Sequence, residues 1–217
     1  MNPGPLITFE GIEGSGKTTQ ASLLHKALKT QQIPVCLTRE PGGSPIAERI
    51  RELILHPGDE PLAPGGELLL FLAARAQNVA QTIRPALGRG EVVICDRFTD
   101  ATLAYQGGGR TISETFLISL NEWATGGLKP ARTYLLDIPV AEGLERARHR
   151  PGAKPDRFDR ESQAFFEAVR ARYLELARRE PERMVVLRGT DPEESLAHQI
   201  KADVERILSG WTPKVQR

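Results

Sequence analysis

Gly11-Ile12-Glu13-Gly14-Ser15-Gly16-Lys17-Thr18 has the spacing G-x-x-x-x-G-K-T and comes just after the apolar run Leu6-Ile7-Thr8-Phe9. An amphipathic stretch from Thr19 to Thr30 takes up the chain beyond it, so the order is strand, glycine-rich loop, helix. Glycines at 11, 14 and 16 allow a tight bend that turns backbone N–H groups inward, where side chains would block an anion. The helix N-terminus adds partial positive charge at the same point. Lys17 is expected to reach the β- and γ-phosphates, and the Thr18 hydroxyl to ligate Mg²⁺. The stretch Gly11–Thr19 therefore predicts a site for a nucleoside triphosphate.

The rest of the chain is compatible with one α/β domain covering residues 1–217, large enough for a buried core. A net charge of +1 gives no global basic field of the kind that binds nucleic acid. The chain has no apolar run of membrane-spanning length, and Met1-Asn2-Pro3-Gly4-Pro5 lacks the pattern of a signal peptide, so a cytoplasmic location is expected. Cys36 and Cys95 lie in apolar runs and read as reduced core residues.

Five β-rich segments recur between helical patterns: Leu6–Glu10, Pro34–Arg39, Val92–Cys95, Thr133–Ile138 and Met184–Arg188. Val92-Val93-Ile94 and Tyr134-Leu135-Leu136 are continuous apolar runs, as strands covered on both faces should be. The pattern predicts a five-stranded parallel sheet with helices on both faces, of the P-loop NTPase type. In such sheets ligands collect at the carboxyl ends of the strands. Pro57–Gly66 and Gly107-Gly108-Gly109 read as flexible stretches, and Trp211–Arg217 as a frayed tail.

From Glu67 to Leu87 the apolar residues Leu68, Leu72, Ala76, Val79, Ile83 and Leu87 form one helical stripe. Phe71, Arg75 and Asn78 fall on an adjacent face. They could form a small base-binding platform, or Phe71 could be core with Arg75 solvated. The strand Val92–Cys95 ends in Asp96-Arg97-Phe98, which suits a carboxylate at the Mg²⁺ shell and an arginine on a phosphate; a capping Asp and surface Arg is the plain alternative. Two further strand-end groups are Thr38-Arg39-Glu40-Pro41-Gly42-Gly43 and Ala104-Tyr105-Gln106-Gly107. Arg146 to Arg160 is a basic segment opposed within itself only by Asp156 and Asp159 and broken by Pro151, Gly152 and Pro155. It reads either as a hinged lid that closes arginines over phosphate or as a solvated basic face.

Taken together these segments resemble the thymidylate kinase family nearly end to end. The carriers are Phe9–Thr19, Thr38–Gly43, Phe71-Leu72-Ala73-Ala74-Arg75, Asp96-Arg97-Phe98 and Ala104–Arg110. The resemblance implies transfer of a phosphoryl group from ATP to dTMP, with ATP and Mg²⁺ as cofactors. It implies Arg51 and Arg97 on the dTMP phosphate, Phe71 stacked on thymine, Arg75 on its O4, and Thr102 and Gln106 lining the base pocket. Pro41, after Glu40, would sit near the thymine methyl, Tyr105 near C2′ of the sugar, and Glu13 near the 3′-OH and the magnesium shell. The family places a catalytic arginine in the phosphate loop or in the lid. Glu13, Gly14 and Ser15 are not basic, so the resemblance favours Arg150 in a lid of about 146–160, with Arg148 in support. Where the family carries an Asp-Ala pair after the last strand, this chain has Arg188-Gly189-Thr190.

A kinase for another nucleoside monophosphate or a deoxynucleoside is the nearest rival. A GTPase switch would need an Asn-Lys-x-Asp motif, and Asn2, Asn78 and Asn121 are not followed by lysine. The family also implies a homodimer, although the stripe Phe165, Val169, Tyr173, Leu176 could equally pack inside one chain.

Overall fold

The computed structural model describes residues 3–56, 60–149 and 156–211. Arg150, Pro151–Pro155, part of the Pro57–Gly66 loop and the tail beyond Trp211 lie outside the described residues. In chain order the elements are β1 (Leu6–Glu10), α1 (Lys17–Thr30), β2 (Val35–Arg39), α2 (Pro45–Leu55), α3 (Pro64–Asn78) and α4 (Arg84–Gly88). There follow β3 (Val92–Asp96), α5 (Thr99–Thr102), α6 (Glu114–Thr125), β4 (Arg132–Asp137), α7 (Val140–Arg148), α8 (Gln163–Arg179), β5 (Met184–Arg188) and α9 (Glu193–Ser209). The five strands form one parallel sheet in the order β2-β3-β1-β4-β5. No described helix is long and apolar enough to cross a membrane.

Alternation along the strands sends side chains to two cores. Ile7, Phe9, Val92, Ile94, Tyr134 and Leu136 pack with Leu24 and Leu28 of α1 and Leu196, Ile200 and Val204 of α9. On the opposite face Leu6, Val93 and Cys95 meet Val79, Ile83 and Leu87, while Leu135 and Met184 meet Phe166, Val169, Tyr173 and Leu176 of α8. The α8 stripe is therefore core of the single chain. Helix starts follow local chemistry: Ser44 accepts from Ala47 N ahead of Pro45, and Ser162 accepts from Phe165 N.

Three expectations are corrected. The continuous helix Glu67–Leu87 is α3, a π turn at Val79–Ile83, and α4. Pro85, without an N–H and with a ring that crowds the carbonyl four residues back, follows the wide turn. Gly107-Gly108-Gly109 is no free loop, because it completes a π-helical segment Leu103–Gly109 that continues α5. A Cβ on Gly109 would fall 2.3 Å from the Phe165 ring of α8, so backbone and helix touch directly there. Cys36 is only half buried, since β2 is an edge strand; Cys95 is fully buried, and both are free thiols.

Candidate active site

The register of the sheet assembles the site. Phe9 pairs with Asp96 between β1 and β3, and Arg39 pairs with Asp96 between β2 and β3. Hence the phosphate loop after β1, Asp96-Arg97 at the end of β3 and Glu40-Pro41 after β2 emerge side by side. Arg97 N donates to Phe9 O and Glu40 N to Asp96 O, both at 2.9 Å. Gly11, Gly14 and Gly16 all have positive φ, the conformations that let the loop curl.

Lys17 Nζ folds back onto Ile12 O at 2.6 Å and Ser15 Oγ at 3.2 Å. Burial, with the Arg97 charge beside it, lowers its pKa to about 8. The Thr18 hydroxyl donates to Asp96 Oδ2 at 2.5 Å. Among the described residues no three His, Cys, Asp or Glu side chains cluster as a metal cage. Thr18 and Asp96 are nevertheless hard oxygen donors at one spot, the kind of partial shell that suits magnesium completed by phosphate oxygens and water. Gly14 packs onto α7 so closely that a Cβ there would fall 1.9 Å from Gly143 O.

Arg97 is the centre of a second group. Its φ of 70° is left-handed, a conformation that costs a non-glycine residue about 1–2 kcal/mol. Nη1 donates to Gly11 O (2.9 Å) and Tyr173 Oη (3.2 Å); Nη2 donates to Glu13 Oε1 and Tyr105 Oη (2.9 Å each). The Tyr105 hydroxyl donates in turn to Glu13, 2.7 Å from Oε2. Burial opposes the Arg97 charge, but Tyr105, Glu13, Tyr173 and Glu10 together outweigh it and hold its pKa well above the ordinary guanidinium value. Glu10, fully buried beneath, accepts from Phe98 N at 2.7 Å and from the Tyr173 hydroxyl at 2.6 Å. Burial, then the charge of Asp100, raises the Glu10 pKa to about 7.

Arg75 is buried, at 2 % exposure, which removes the solvated alternative. Nε donates to Glu40 Oε2 (2.7 Å), Nη1 to Thr102 Oγ1 and Asn121 Oδ1 (2.6 Å each), and Nη2 to Phe98 O (2.8 Å). Four of its five N–H groups are thus committed within the described residues, and one on Nη2 remains. Asn78 Nδ2 donates to Glu40 Oε1 at 3.3 Å, so both oxygens of the Glu40 carboxylate are engaged by buried side chains. Phe71 is half buried, its ring 6.3 Å from that of Phe158, and Phe158 meets Tyr105 edge-on at 5.9 Å. Gln106 Nε2 donates to Glu67 Oε1 at 2.9 Å. Arg51 Nη1 donates to Pro41 O at 2.8 Å. Partial burial, followed by the neighbouring Arg39 charge, lowers the Arg51 pKa to about 10, a locale that favours an anion.

The basic segment does not stand unopposed. Arg146 pairs with Glu142 and reaches Gly189 O at 2.9 Å, exposed Arg148 pairs with Glu145, and Arg157 pairs with Glu67. Glu142 and Glu145 flank the segment on α7, and Glu67 comes from α3; none belongs to 146–160. Sequence reasoning passed over Glu10, Tyr173, Glu67 and Asn121. A lone Glu closing the otherwise apolar Leu6–Phe9 strand was the available signal for Glu10; the others act through distant pairings that leave none.

The thymidylate kinase family model matches residues 9–200. A thymidylate kinase of Pseudomonas putida (strain W619) is 53% identical over 202 residues, 93% of this chain and 97% of that relative. One of Pseudomonas fluorescens (strain SBW25) is 53% identical over 205 residues, 94% of this chain and 95% of its own length. The solved thymidylate kinase of Ehrlichia chaffeensis superposes with a TM-score of 0.74 at 31% identity, covering 94% of this chain and 99% of that one. The five-stranded parallel sheet, the loop after its first strand and these likenesses agree: the chain belongs to the thymidylate kinase family.

Proposed function

We propose that the chain transfers the γ-phosphoryl of ATP to a phosphate oxygen of dTMP, giving dTDP and ADP. The observation that carries the reading is the β1–β3 register, which sets the phosphate loop beside Arg97 so that two anions can meet end to end. The acceptor phosphate is already nucleophilic at neutral pH, so no general base is required. Positioning and charge stabilisation are what remain for the protein to supply. Lys17 would leave Ile12 O for the triphosphate. Arg97 and Arg51 would hold the acceptor phosphate, offsetting a repulsion of about 4 kcal/mol between unit charges 4 Å apart at an effective dielectric of 20. When bound at Thr18 and Asp96, Mg²⁺ supplies charge neutralisation for the phosphate oxygens. Arg150, with Arg148 in support, is the proposed source of further guanidinium charge at the transferred group.

For the acceptor, Phe71 would stack on thymine and the remaining Arg75 N–H would meet its O4. Thr102 and Gln106 would line the pocket, and Pro41 would lie near the methyl. Tyr105, held by Glu13 and Arg97, would exclude a ribose hydroxyl. A coupled ADP-release assay with ATP, Mg²⁺ and a panel of dTMP, dUMP, UMP and AMP tests this. Efficient turnover with dTMP is expected, and ATP binding without any dTMP turnover overturns it.

The chain would act as a homodimer. Ile46 and Leu53 on α2, Leu69 on α3, and Phe116 and Trp123 on α6 are exposed on successive packed helices, Trp123 at 81 %. Sedimentation should give a dimer for the wild type and a monomer for Trp123→Asp; a wild-type monomer at micromolar concentration refutes it.

A further inference from the structure

Glu67 stands in the first turn of α3, where an acid is ordinarily a solvated complement to the helix dipole, yet here it is 1 % exposed. Donors from separate parts of the chain converge on it. Oε1 accepts from Gln106 Nε2 at 2.9 Å and Arg110 Nε at 3.3 Å; Oε2 accepts from Arg110 Nη2 at 3.0 Å and Arg157 Nη1 at 2.6 Å. Burial works to raise its pKa, but the hydrogen bonds from Arg110, Gln106 and Arg157 prevail and keep it below the ordinary carboxylate value. Glu67 is therefore ionised and can only accept.

Gln106 by itself is ambiguous, because its amide can present either an N–H or an oxygen to a ligand. An acceptor-only carboxylate behind it removes the choice. Nε2 must face Glu67, and Oε1 is the end turned away. Thr102, four residues earlier on the same helical segment, is bonded to Arg75, a side chain that can only donate. The wall thus offers a donor from Arg75 and an acceptor from Gln106.

We propose that Glu67 is a specificity-determining positioning residue, fixing the Gln106 amide so that its oxygen meets the N3–H of an oxo-pyrimidine while Arg75 meets O4. This rests on the dTMP reading above. Cytosine reverses both groups, carrying an acceptor at N3 and an amino donor at C4. A buried site that leaves such groups mismatched rejects the wrong ligand strongly.

The test is the ratio of kcat/KM for dTMP to that for dCMP. In Glu67→Gln, Arg110 and Arg157 claim the new amide oxygen, its N–H₂ faces Gln106, and Gln106 must turn over. The ratio is expected to fall about tenfold or more, the worth of one buried hydrogen bond. An unmoved ratio, or an equal loss on both substrates, overturns the proposal. Should that variant not fold, Arg110→Gln keeps it testable. Arg110, Arg157 and Gln106 face Glu67, and Glu161 pairs with Arg110, so removing this cation raises the Glu67 pKa. The ratio in Arg110→Gln should then fall as the pH is lowered while the wild-type ratio stays level over the same range; parallel profiles overturn it. A wild type inert toward dTMP would instead sink the underlying reading.

Discussion

Arg97 Nη2 and Glu13 Oε1 form an ion pair of 2.9 Å that ties the end of β3 to the phosphate loop. Glu13 thereby aims the guanidinium, and the left-handed backbone at Arg97 aims it from the other side. Arg97→Ala should lower turnover with dTMP by roughly 10²-fold, the scale of losing one preorganised donor. Arg97→Lys should recover little of it, since one ammonium cannot span Gly11 O, Tyr173, Glu13 and Tyr105. Near-wild-type steady-state rates in either variant would remove Arg97 from the reaction.

Lys17 provides a proton-linked signature of triphosphate binding. In the free protein its pKa is about 8, and a neighbouring polyanion must raise it. At pH 8 the group is about half protonated, so ATP binding should take up about half a proton. Calorimetry in buffers of different ionisation enthalpy reads this directly. Lys17→Met should abolish the uptake, and proton release by the wild type would contradict the geometry.

Glu10 should leave a mark on stability. Its folded pKa, about 7, lies above the ordinary value of 4.5, so between these pH values the native state binds more protons than the unfolded one. Its contribution is fully present below pH 4.5 and is lost as pH rises through 7. The Tm of the ligand-free protein should therefore decline more steeply from pH 5 to pH 7 in the wild type than in Glu10→Gln. Superimposable Tm–pH curves would show that Glu10 ionises as an ordinary surface acid does.

Gly143 of α7 is a position where size alone matters. A Cβ there would fall 2.7 Å from Glu13 O, so Gly143→Ala must push the phosphate loop or α7 aside. The kcat/KM for ATP should drop on the order of tenfold, since sub-ångström displacement of a positioning loop is costly. Unchanged ATP kinetics would mean that the helix yields freely.

Much of this was legible in the chain. Leu6–Glu10 and Met184–Arg188 are strands at the boundaries their composition marks, because short apolar, β-rich runs bounded by glycine or a turn admit few alternatives. The π turn at Val79–Ile83 was not, since one extra residue barely disturbs a 3.6-residue stripe. The burial of Arg75 depends on Glu40, Thr102 and Asn121, which lie 35, 27 and 46 residues away. Local pattern carries nothing about such pairings. For the same reason Arg157 reads in the sequence only as one member of a basic segment, and it is the fold that brings Glu67 to it.

On the proposed binding mode, the one Arg75 hydrogen left uncommitted among the described residues has a consequence for anyone designing inhibitors. A heterocycle gains from one acceptor at that point and nothing from a second. A hydrogen-donating substituent there would displace no existing bond and would leave an arginine hydrogen facing another hydrogen. On that reading potency is to be sought elsewhere on the scaffold, against Phe71 or toward the proposed phosphate contacts of Arg97 and Arg51.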